Sequence, residues 1–145
     1  MKKTMNYYLM AILGLMMVMA LTSCGTPSLD TTVKHFQKTL PRQWGEHMTI
    51  TKCGVVGDYL EMEIVNDETE FEFESDDFAS ALEIVMNSMK QQLVHGFVSD
   101  ATMNRMLRAC KEEGKGFRVV YVSEKSGLRV KLEFTPDEIR ELIIK

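Results

Sequence analysis

Apolar and polar positions along the chain fall into short runs whose period switches between helical and extended. Leu29, Val33, Phe36 and Leu40 recur at helical spacing behind Ser28, a good N-cap residue, and Pro41 stops the pattern, which predicts a helix over residues 29–40. Met48 to Val56 reads as a strand with imperfect alternation, because Lys52 falls in phase with Met48 and Ile50. A twist or bulge near Gly54 accounts for that, and in a regular strand Cys53 then points away from the helices. Gly57-Asp58 is a turn signal, and Tyr59 to Val65 alternates cleanly, with Leu60, Met62 and Ile64 on one side. With Asn66-Asp67 as a two-residue turn, residues 69–74 return as a second strand that pairs Met62 with Phe71 and Leu60 with Phe73. The same register sets Glu63 opposite Glu70, Glu61 opposite Glu72 and Tyr59 opposite Glu74, a cost to any ladder.

Ser75-Asp76-Asp77 opens a helix with acids at its positive end, and Phe78, Leu82, Val85 and Met89 form the stripe expected to be buried. Gly96 is read as the cap of that helix. Ser99-Asp100 starts the next one, with Met103, Met106, Leu107 and Cys110 on one side and Gly114 at its end. Residues 117–123 and 128–134 are the clearest strands, joined by Glu124-Lys125-Ser126-Gly127. Thr135-Pro136-Asp137-Glu138 combines a capping box with proline at the first helical position, and Ile139, Leu142 and Ile143 make the last helix amphipathic. The order α-β-β-β-α-α-β-β-α predicts an α+β domain: an approximately five-stranded, mainly antiparallel sheet with helices packed on one face.

The opening of the chain changes the picture. Lys2 and Lys3 precede an apolar run from Tyr7 to Leu21, too short for a comfortable membrane span and suited to a secretory leader. Leu21-Thr22-Ser23-Cys24 follows. This resembles the lipobox of bacterial lipoproteins, whose leader is cut before the cysteine and whose cysteine is lipidated. The resemblance divides the chain into a cleaved signal peptide (1–23), a lipidated N-terminus with a short tether (24–28) and a single domain (29–145). It implies a diacylglyceryl thioether and an acylated amine on Cys24, enough acyl chain for firm anchoring. Gly25 stands where an aspartate would resemble an inner-membrane retention signal, and a single acid, Asp30, follows in the tether region. The resemblance therefore implies the outer membrane, facing the periplasm.

Removing residues 1–23 takes away Lys2 and Lys3 and no acid, so the net charge moves from −4 to −6. Such a domain lacks the basic footprint that nucleic acid demands. The acidic stretch 58–77 admits three readings. Arg118, Arg129 and Lys131 on the outward face of the later strands, with Lys52 on the first, interleave with the carboxylates as a charge ladder if one of those strands lies beside 59–65. The face of Tyr59, Glu61, Glu63, Glu70, Glu72 and Glu74, with Val120 and Val122 as apolar footing, docks a basic partner. The tip Asn66-Asp67-Glu68 holds calcium weakly, although parallel side chains on a flat sheet converge poorly on an ion.

Cys53 and Cys110 remain after lipidation and form a candidate disulfide that closes a long loop. His35, His47 and His95 have no metal-ligand spacing, a Cys53–His47 pair has nothing to activate it, and Trp44 is either a ligand-stacking aromatic or a plug at the core edge. There is no HExxH, CxxC, GxSxG or phosphate-cradling glycine loop, and no cofactor is implied. The sequence therefore points to a lipid-anchored, non-catalytic envelope module that binds a protein, a peptide or a glycan. An inhibitor or immunity-type protein blocking a basic enzyme is the alternative, and a small envelope hydrolase the second alternative. Cys24→Ala is expected to move the protein from the membrane pellet to the soluble fraction, as fractionation of cells will read. Tight membrane association persisting in that variant rules out the anchor.

Overall fold

A computed structural model describes residues 27–67 and 75–144 of the chain. In chain order the elements are α1 (Leu29–Gln37), β1 (Arg42–Gln43), β2 (Met48–Val56), β3 (Tyr59–Asn66), α2 (Asp76–Ser88), α3 (Lys90–Ser99), α4 (Ala101–Glu112), β4 (Gly116–Ser123), β5 (Arg129–Phe134) and α5 (Pro136–Leu142). The strands form one sheet whose spatial order, β1-β2-β3-β4-β5, is their order in sequence. Every neighbouring pair is antiparallel except β3 and β4, which run parallel. A parallel pair needs a long crossover, and α2, α3 and α4 supply it. The class is the expected one: α+β, five strands, three before the crossover and two after, mainly antiparallel.

The core lies between one sheet face and the helices. Leu60, Met62 and Ile64 of β3, Phe117 and Val119 of β4, and Leu132 and Phe134 of β5 meet Phe36, Met103, Met106, Leu107 and Ile139, all fully buried. Phe117 sits edge-on to Phe97 (centroids 5.4 Å apart) and lies nearly parallel to Phe134 at 6.1 Å, an arrangement that adds to simple area burial. Trp44 stacks on Phe97 at 5.8 Å and packs against the same core, so it is the plug at the core edge.

Several expectations are corrected. Helix α1 stops at Gln37, short of Leu40, because the Thr39 hydroxyl and amide both take the Phe36 carbonyl (2.7 and 2.8 Å); the freed chain forms β1. The irregularity in β2 lies between Ile50 and Lys52 rather than near Gly54. One extra residue there flips the alternation, so Cys53 shares the buried face with Ile50 instead of pointing outward. Strand β3 has only two edges, and β2 and β4 occupy both along its length, so Leu60, Met62 and Ile64 find their neighbours there rather than in a returning strand. Residues 68–74, the expected return, lie outside the described residues. The helix expected to run to Gly96 is two, α2 and α3, broken at Met89, and Gly96 lies inside α3. Asp100 caps α4 as expected, its Oδ1 accepting from the amides of Thr102 (2.9 Å) and Met103 (3.0 Å), and the capping box of Thr135 and Glu138 is present in full.

Among the described residues, the outer edge of β5 is met by side chains rather than by another strand. Glu83 of α2 accepts from the Lys131 amide (3.0 Å), and Asn87 donates to the Lys131 carbonyl (3.0 Å) and accepts from the Glu133 amide (3.4 Å). Two side chains thus imitate the ladder a sixth strand would make, which blunts an otherwise reactive edge. Asn87→Ala removes both an acceptor and a donor, and is expected to lower unfolding free energy by about 1–3 kcal/mol in a denaturant titration. An unchanged midpoint refutes this account of the edge.

Candidate functional site

The face of the sheet away from the core carries the charges singled out above. The registers Glu61↔Arg118↔Glu133 and Glu63↔Val120↔Lys131 place them in rows across β3, β4 and β5. Arg118 donates to Glu61 (3.0 Å) on one side and to Glu133 (2.9 Å) on the other, and its guanidinium lies 4.2 Å from the Tyr59 ring centre. Gly116 makes room for this stack: a Cβ there would come within 2.5 Å of the Tyr59 ring and 2.6 Å of the Phe134 carbonyl oxygen. The Tyr59 hydroxyl completes the group by donating to Glu133 (3.2 Å). In the next row Glu63 accepts from Arg129 (2.9 Å) and the Thr51 hydroxyl (3.0 Å), with Lys52 at 3.3 Å. Tyr59, Glu61, Glu63, Val120 and Val122 are therefore brought onto one face, Val120 buried and Val122 half-buried, as members of a charge ladder. Glu70, Glu72 and Glu74 lie outside the described residues.

The protonation chemistry follows the geometry. Burial pushes the Glu63 carboxyl up, but hydrogen bonds from Arg129, Thr51 and Lys52 outweigh it and hold its pKa below the ordinary 4.5. Glu133 is lowered too: burial opposes, and the bonds from Arg118 and Tyr59 prevail. Arg118 is raised, chiefly by its hydrogen bond to Glu61.

Other candidate groups are spoken for. Cys53 and Cys110 are free thiols in the same buried cluster, and burial pushes each up to about 12, which leaves both protonated. Asp67, at the expected calcium tip, lies 3.1 Å from His47. Among the described residues no three His, Cys, Asp or Glu side chains converge as a metal site would require.

Helix α2 is where the structure departs most from the pattern. Its stripe was expected inside, and Leu82 does pack, with Met86, against Ala79 and Val130, yet Phe78 is 41% exposed, Val85 51% and Met89 45%, and the neighbouring Ile84 is 72% exposed. Only Ala79 is buried. The reason is the polar clamp: turning Glu83 and Asn87 toward the backbone of β5 rotates the apolar side of the helix toward solvent. A cleft of about 360 Å³ opens beside it, lined by Asp76, Ala79, Ser80, Glu83, Ile84, Leu128 and Arg129. Periodicity alone could not find this surface, because an apolar stripe marks what a helix seeks to cover and not what covers it.

No protein-family model matches the chain, and no curated protein does. Among solved structures, it overlays on a Pseudomonas aeruginosa protein described as secreted, at 16% identity, covering 77% of this chain and 89% of that one with a TM-score of 0.51. Weaker overlays are found with two type II secretion system pilotins. These are AspS of Vibrio cholerae (14% identity, 76% and 87% coverage, TM-score 0.45) and EpsS of Vibrio vulnificus (13% identity, 77% and 87% coverage, TM-score 0.48). At 16% identity the first of these overlays shows a shared fold alone.

A carboxyl whose folded pKa is depressed contributes stability above its unfolded value and loses it as pH falls through the folded one. The melting temperature is therefore expected to fall as pH drops below about 4.5, and Glu63→Gln with Glu133→Gln is expected to flatten that dependence while lowering stability at neutral pH. A double variant that melts higher at pH 7 refutes the ladder.

Proposed function

We propose that this protein is a lipid-anchored, non-catalytic binding module of the bacterial cell envelope, held to the outer membrane through Cys24 on the periplasmic side. We place its docking surface on α2. The observation that carries this reading is the exposure of Val85 and Met89 on one side of the helix and of Ile84 at the cleft it shares with Leu128 and Arg129. Large apolar side chains exposed together on one short helix are costly to leave in water and mark an interaction surface. The sheet face is a poorer candidate, because the described carboxylates Glu61 and Glu63 are each matched by Arg118, Arg129 or Lys52 from neighbouring strands. A basic partner would have to break those pairs before gaining its own.

The occupant that fits is an apolar segment of an envelope protein with a basic group at one end. The few exposed apolar side chains of α2 and its C-cap offer far less than the roughly 800 Å² per partner of a stable dimer, which argues against a second copy. Asp76 and Asp77 are exposed at the N-terminal end of the stripe, and they favour a cation there. A photo-crosslinking residue at position 85 is expected to capture one envelope protein in living cells, and Ile84→Asp with Val85→Asp to abolish capture while stability changes by less than about 0.5 kcal/mol. Undiminished capture in the aspartate variant, or none from position 85, overturns the assignment of the surface.

A further inference from the structure

We propose that the cleft where the tether enters the domain binds the headgroup of an anionic phospholipid. The inference rests on lipidation at Cys24. The cleft, about 270 Å³, is lined by Pro27, by Thr31, Thr32 and His35 of α1, and by Thr102 and Arg105 of α4. Its chemistry is that of a phosphate receptor: a guanidinium, an imidazole and the hydroxyls of Thr31 and Thr102, with no carboxylate among the lining residues; the buried Thr32 hydroxyl is spent on the Ser28 carbonyl (3.0 Å).

Arg105 is set apart from the other arginines. Arg42, Arg118, Arg129 and Arg140 each hold a carboxylate, and Arg108 donates to the Asn104 side chain (3.0 Å). Arg105 is exposed and has no such partner among the described residues. With the other arginines engaged, an open guanidinium fork in a concave site suits a bidentate anion. Nearby acids are engaged elsewhere: Asp30 pairs with Lys34 (2.8 Å), Asp100 with Arg42 (2.7 Å), and Glu113 accepts from the Leu29 amide (2.7 Å).

Covalent geometry names the ligand. Only Gly25 and Thr26 separate Cys24 from Pro27, and the three residue steps span at most about 11 Å even when fully extended. The thioether glycerol of a lipidated Cys24 sits in the headgroup layer, so Pro27 and the cleft it lines are tied within reach of the phosphates of neighbouring lipids. That tether supplies a high effective concentration, and weak intrinsic affinity suffices. A specific receptor is also what an acidic domain requires there. With a net charge of −6 after cleavage, the domain is repelled by an anionic leaflet, and Arg105 with His35 gives its anchored pole a local attraction.

The test uses the mature lipidated protein in nanodiscs of phosphatidylcholine alone, with added phosphatidylglycerol, or with inorganic phosphate in the buffer. The NMR signals of Arg105 Nε, the Thr102 amide and the His35 ring are expected to shift saturably with the phosphatidylglycerol fraction. Arg105→Gln is expected to weaken that response at least about tenfold, and Arg108→Gln to leave it intact. Three results overturn the proposal: no shift, a shift equal in both variants (a surface-potential effect), or the same shift from inorganic phosphate in neutral nanodiscs, which makes free phosphate the ligand. If mass spectrometry finds the chain unacylated, the anchor falls on its own. Titrating that soluble chain with dihexanoyl phosphatidylglycerol then still decides whether the cleft recognises the headgroup.

Discussion

The structure depends on a charge-matched register between β3 and β4. Strand β3 is central, hydrogen-bonded on both edges, and sends carboxylates from Glu61 and Glu63 out of one face while Leu60, Met62 and Ile64 enter the core from the other. A central strand carrying like charges is stable only where its neighbours bring cations, since two edges leave nowhere for the charges to diverge. The parallel register Glu61↔Arg118 does this, and Arg118 then reaches across to Glu133 and ties three strands in one row. A slip by one residue would bury Glu61 and expose Met62, so the core and the ladder enforce the same alignment.

Choosing β4 as the neighbour of β3 has consequences across the fold. Parallel pairing forces the chain to leave the end of β3 and come back beside its start, and the helices from Asp76 to Glu112 are that return path. Their first member lands against the far edge of the sheet. There α2 does the work of a strand with Glu83 and Asn87, and the exposed apolar stripe is the other side of that engagement. The helix sets Ala79, Leu82 and Met86 against the sheet with Glu83 and Asn87, which leaves Val85 and Met89 facing outward.

Much of the architecture was legible in the chain because it is local. The alternation in 59–65, 117–123 and 128–134, the capping box at Thr135 and the cap at Asp100 all rest on contacts within a few residues, and each is found in place. What could not be read is which element lies beside which. Alternation gives the face of Glu61 but not its neighbour, so a returning strand at 69–74 and the distant β4 were equally compatible with the same pattern. The bulge after Ile50 leaves only a phase error in the sequence, and its position decides whether Cys53 is inside or outside. The stripe of α2 misled for a similar reason: its apolar spacing is real, but the helix is seated on β5 by Ala79, Leu82 and Met86 together with three hydrogen bonds from Glu83 and Asn87, a face rotated from the one the spacing suggested.

The two proposed surfaces lie at opposite ends of the sheet, and that separation makes them compatible. Helix α1, with the tether cleft at its start, packs on β2, whereas α2 packs on β5. Three strand spacings of about 4.8 Å lie between them, so a domain seated on lipid headgroups through Arg105 holds the α2 stripe some 14 Å farther along the sheet. An anchored module needs this polarity. If the apolar stripe stood at the tether it would sink into the bilayer that holds the protein, and a partner would compete with lipid for it. Placed at the other edge, with the charge ladder between, the stripe would remain in water and open to a partner while the proposed acyl chains and basic cleft kept the domain from tumbling.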